Sequence, residues 1–149
     1  MRRVLAVVGA GALLAACSSP PALSAREYRV QANRICRDLR RSTGALPRPE
    51  PTATEQFVRV GRRSLALQRD ALGRVRSLDA SSTDERNVGK WLGFVAAALD
   101  AGAASLTAQS TGDLVAARAA NERGRAATAK ADELARLLRV DDCATPATG

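Results

Sequence analysis

The sequence predicts an all-α fold, a disulfide-linked up-down four-helix bundle after a cleaved signal peptide, and three observations carry that reading. Apolar residues recur at three- and four-residue spacing over four stretches. No segment alternates with period two or gathers β-branched residues, so no sheet is expected. Cap motifs and Gly or Pro breaks separate the stretches.

Arg2 and Arg3 precede a charge-free run, Val4 to Ala16, made only of Val, Leu, Ala and Gly. As a helix this run would span ~20 Å, short of the ~30 Å hydrocarbon core, so residues 1–16 read as a signal peptide and not as a permanent span. The run ends in Leu14-Ala15-Ala16-Cys17, which resembles the lipobox of bacterial lipoproteins. The resemblance implies cleavage before Cys17, diacylglycerol on its thiol, and a mature protein held on the outer face of the cell membrane. An ordinary secretory signal with an accidental cysteine is the alternative. Residues 17–23, with Ser18-Ser19-Pro20-Pro21, then form a short lipidated tether.

The bundle is expected over residues 24–143, followed by a disordered tail at 144–149. Ser24-Ala25-Arg26-Glu27 is a capping box that opens the first helix, about 24–43, whose Tyr28, Ala32, Ile35 and Leu39 share one face with Cys36 beside them. Gly44 and Pro47 close it, and Pro47-Arg48-Pro49-Glu50-Pro51 is a stiff connector. Thr52-Ala53-Thr54-Glu55 is a second box, opening a helix at about 54–78 with Phe57, Gly61, Ser64, Leu65, Gln68, Leu72 and Val75 on its stripe. Thr83-Asp84-Glu85 caps the third, about 84–109, which carries Val88, Leu92, Val95, Leu99, Ala103 and Leu106, broadened by Trp91, Phe94 and Ala98. It is the expected centre of the core. A turn at Ser110-Thr111-Gly112-Asp113 leads to the fourth, about 112–139, with Leu114, Ala117, Asn121, Gly124, Thr128, Ala131, Ala135 and Leu138 at helical spacing.

With Cys17 given to lipid, Cys36 and Cys143 are an even pair in an exported chain and are expected to form a disulfide, free thiols or an intermolecular pair being the alternatives. Topology resists it. In an antiparallel ring Cys143 should lie near the start of the first helix, whereas Cys36 is some twelve residues, or ~18 Å, along it. Either the tail folds back along that helix or the fourth helix ends early. A cysteine in the first helix and another near the C-terminus also resembles small helical lipoproteins of high-G+C Gram-positive bacteria, which implies architecture and no activity.

The chain has 149 residues, is 46% apolar and 3% aromatic, and contains no histidine. That removes Ser-His-Asp and Cys-His catalysis, His-ligated metals and the usual proton shuttle. No phosphate loop or EF-hand spacing is present, and Asp132-Glu133 and Asp141-Asp142 are adjacent pairs that point to different helix faces. A non-enzyme is expected, with no cofactor and no metal. Residues 24–79 hold 13 basic and 6 acidic side chains, and residues 80–149 hold 8 and 9. Arg26, Arg37, Arg40, Arg41, Arg62 and Arg63 in the basic half are candidate contacts for anionic lipid or wall polymer, against the reading of a solvated arginine-rich face. Nucleic acid is not expected, for want of clustered aromatics and in an exported chain. Gly89 and Gly93 make a Gly-x-x-x-Gly spacing that suits close helix packing or a groove beside Trp91 and Phe94. Asn121 and Thr128 on the inward stripe could line a ligand cavity or bond across helices. Two functions follow: a membrane-anchored envelope lipoprotein that binds or scaffolds an envelope protein partner, and a carrier of a small apolar ligand held between helices three and four.

Overall fold

Ser24 sits in extended backbone, its hydroxyl accepts from the Glu27 amide, and the Glu27 carboxylate accepts in return from the Ser24 amide at 2.9 Å. Two otherwise orphaned donors are thereby satisfied, and helix α1 starts, Ala25–Gly44. In the computed structural model, which describes residues 23–50, 53–80 and 85–145, three further long helices follow: α2 Thr54–Arg76, α3 Glu85–Ser110 and α4 Leu114–Leu137. A short 3-10 turn, η1, covers Asp141–Cys143. No strand occurs among the described residues. The signal peptide, the lipobox with Cys17, the caps at Thr52 and Thr83, and residues 146–149 lie outside the described residues.

The other caps divide. Asp113 accepts from the Ala116 amide at 2.9 Å and opens α4, after a turn in which Gly112 takes a positive φ of 77° that suits a residue without Cβ. The N-cap of α2 is Ala53, one residue after the Thr52 expected to open it, and it makes no side-chain cap bond. Residues 144–145 depart from the expected tail as well. Ala144 packs on the core, and the Thr145 amide donates to Asp132 Oδ1 at 2.9 Å.

Helix α3 packs along α4 and against α2, and α1 packs on α2. It carries six buried residues, Val88, Trp91, Leu99, Ala101, Ser105 and Leu106, where each other helix carries four. By length and composition α3 could cross a membrane, at a mean hydropathy of 1.4 over a window of which 33% is buried, where the helix lies between α2 and α4. The main core joins Tyr28, Ala32 and Ile35 to Ala71 and Val75, Val88 and Trp91, and Ala131, Ala135, Leu138 and Val140. Much of it is alanine, which brings helix backbones close.

Two stripes are shifted from their expected faces. Phe57 is 45% exposed while its neighbour Val58 is buried, and on α4 Leu114 and Asn121 are exposed while Ala120 is buried. Both shifts fall at the bundle end where α2 starts and α4 starts, and Phe57, Leu114 and Asn121 line one surface hollow there. The close helix contacts also lie elsewhere than expected. A Cβ at Gly89 or Gly93 would meet nothing within 4 Å, whereas one at Gly61 would come within 2.7 Å of Leu106 Cδ2. Gly61 therefore leaves room for the Leu106 side chain of α3, and a Cβ at Gly124 would come within 3.5 Å of the Ala101 Cβ of α3.

Candidate functional site

The Cys36–Cys143 disulfide is formed, with the Cα atoms 5.1 Å apart. The expected ~18 Å gap closes because the chain reverses after α4. Leu138 caps the helix, Arg139 adopts φ 58°, and the Val140 amide donates back to the Ala135 carbonyl at 2.9 Å while Arg139 donates to Arg136. This is a Schellman ending with arginine in the left-handed position that glycine usually takes. Its apolar partner Val140 is fully buried.

The reversed tail then crosses the middle of α1 and stands between α1 and α4, which do not pack directly. Asn33 grips it with both ends of its amide: Nδ2 donates to the Arg139 carbonyl at 3.2 Å, and Oδ1 accepts from the Asp142 amide at 2.9 Å. Arg37 and Arg40 both donate to the Asp142 carboxylate, and Arg40 also donates to the Asp142 carbonyl at 2.7 Å. Hydrogen bonds from Arg40 and then Arg37 hold the Asp142 carboxyl below its usual range.

Two of the six arginines considered for an anionic surface are thus engaged by the tail, and Arg41 pairs with Asp38 within α1. Arg37, Arg40 and Arg41 together line one shallow hollow. Arg62 lines another, with Thr54, Glu55, Arg59 and Ser110, and Arg26 and Arg63 belong to neither. The six do not converge on one site.

The strap formed by Cys143 and Thr145 also walls a cavity of about 190 Å³. Its sides come from all four helices: Leu39 and Cys36 of α1, Leu72 and Val75 of α2, Trp91, Val95 and Leu99 of α3, and Thr128 and Asp132 of α4. The expected groove between α3 and α4 is realised only in part. Trp91 and Thr128 line the cavity, whereas Phe94 stands outside it with the Lys130 ammonium 5.2 Å from its ring centre. Asn121 lines an outer groove with Gly102, Gly124 and Arg125. Ala98, Thr128, Asp132 and Thr145 line both hollows and form the boundary between them. Trp91 is 3% exposed, and its indole N–H has no acceptor among the described residues.

Asn33, Arg139 and the Asp132–Thr145 contact carry this arrangement, and the helical pattern alone does not mark them. Asn33 falls on the polar side of α1, Arg139 replaces the glycine that would have signalled a helix end, and Asp132 reads as half of an acidic pair. Among the described residues no group of three or more His, Cys, Asp or Glu side chains is placed to hold a metal ion. Compared with known protein families, curated proteins and solved structures, the chain matches none.

Proposed function

We propose that the protein is a non-catalytic, lipid-anchored lipoprotein of the cell envelope that binds or scaffolds an envelope partner on the outer face of the membrane. The Cys36–Cys143 disulfide is the observation that carries this reading. Disulfides persist in oxidising compartments, and pairing these two leaves Cys17, at the end of the lipobox-like run, as the remaining cysteine. Two acyl chains hold a protein on a bilayer where one would exchange, at ~0.8 kcal/mol per buried CH₂. Radiolabelled palmitate is expected to enter the protein and to be lost, with membrane retention, in Cys17→Ala; a variant that still labels and stays with membranes overturns the anchor. Cross-linking and immunoprecipitation of the tethered protein then identifies the partner.

A second reading is favoured by the cavity: the bundle carries a small apolar ligand. The apolar walls and the single tryptophan among them support it, and the space lies among all four helices rather than between the last two alone.

A further inference from the structure

We propose that the cavity binds a small apolar amine, with one ring or its aliphatic equivalent among the helices and the ammonium on Asp132. The proposal rests on the carrier reading above and adds the chemical class of the ligand.

Size sets the body of the ligand. An apolar cavity of ~150 Å³ admits benzene, so about 190 Å³ walled by Leu39, Leu72, Val75, Trp91, Val95 and Leu99 holds a single ring with a short arm. Charge sets the head. In a chain of 23 basic and 15 acidic residues, the one ionisable side chain among the described residues that line this cavity is an aspartate. Asp132 lies at the boundary with the outer groove, where a ligand's head would meet solvent. Its Oδ1 accepts from the Thr145 amide and, at 3.4 Å, from the Thr145 hydroxyl, which pins the carboxylate. Among the described residues no ion pair and no further hydrogen bond engages Asp132. A cation arriving there meets an oriented carboxylate beside apolar walls, where charge-assisted bonds are strong. A neutral ligand would leave that carboxylate without a counter-charge, and an anion would face it.

Three probes that share a phenyl ring and a short arm separate the claims: phenethylamine, ethylbenzene and phenylacetate, titrated into the purified protein with Trp91 emission and the thermal midpoint as readouts. Phenethylamine is expected to bind on the order of tenfold more tightly than either of the others, the equivalent of one charge-assisted contact. In Asp132→Asn, which keeps an oxygen for Thr145, that preference is expected to fall below about twofold with ethylbenzene affinity unchanged. Equal binding of ethylbenzene and phenethylamine by the wild type overturns the amine proposal and leaves the carrier reading standing, as does tighter binding of phenylacetate. Silence of both readouts for all three probes overturns the carrier reading with it. The wild-type series decides the matter even where Asp132→Asn does not fold.

Discussion

Arg139 is held at φ 58°, a conformation that costs a residue with a Cβ ~1–2 kcal/mol and a glycine almost nothing. Arg139→Gly is therefore expected to raise unfolding stability by about 0.5–1 kcal/mol, part of the gain being offset by the greater freedom of glycine in the unfolded chain, and Arg139→Val to lower it by ~1 kcal/mol or more. Urea titration checks both, and a destabilised glycine variant would show that the arginine side chain matters more than its backbone. Asn33 makes two bonds to the tail, so Asn33→Ala is expected to cost roughly 1–2 kcal/mol and to speed reduction of the Cys36–Cys143 bridge. Asp142 adds a pH dependence. Its folded-state pKa is lowered, so the unfolded chain takes up the proton first as pH falls. The stabilisation is complete above the ordinary aspartate value of ~3.9 and is lost as pH drops through the lower folded value. Asp142→Asn should remove this part of the acid sensitivity, most visibly at low salt, because both arginines are about half exposed.

At the scale of the helix, the glycines of α3 separate two explanations. Helix-interior glycine costs ~1 kcal/mol relative to alanine. At Gly89 and Gly93 nothing stands where a methyl would go, so Gly89→Ala and Gly93→Ala should each stabilise the fold by about 0.5–1 kcal/mol in a thermal or urea transition. Gly61 behaves differently, because Leu106 occupies the space beside it. Alanine there requires only the flexible leucine end to move, whereas Gly61→Val is expected to destabilise by roughly 1–3 kcal/mol through overpacking. Helix α3 is also more apolar than its burial requires, since only 33% of its most apolar window is buried between its neighbours.

For the molecule as a whole, one covalent bond ties the ends together. Cys36 and Cys143 are 107 residues apart, and closing a loop of ~100 residues is worth ~4.7 kcal/mol in the chain-entropy treatment. A domain with four aromatic side chains and a core rich in alanine depends heavily on such a contribution. Reduction is expected to lower the thermal midpoint by about 10 °C or more, at ~3–5 °C per kcal/mol. Cys36→Ser and Cys143→Ser should cause nearly equal losses, and the double variant little further loss, because either change opens the same loop. Additive losses would mean that the two cysteines stabilise the fold independently.

Local rules were enough to place the helices. The box at Ser24 and Glu27, the cap at Asp113, and the spacing of Tyr28, Ala32, Ile35 and Cys36 each depend on residues within one or two turns, and each element lies within a few residues of where its pattern puts it. An even pair of cysteines in a chain with an export-like N-terminus likewise argues for a bridge before any geometry is known. What the pattern leaves open is rotation and register. Whether Phe57 or Val58 turns inward, and whether Gly61 or Gly89 receives a neighbour, depends on helices far away in sequence. The reversal at Arg139 is likewise a tertiary decision. A non-glycine residue accepts a left-handed conformation there because burying Val140, bonding Asn33 and pairing Asp142 together outweigh its cost, and that reversal is what brings Cys143 to Cys36 and Thr145 to the wall of the cavity.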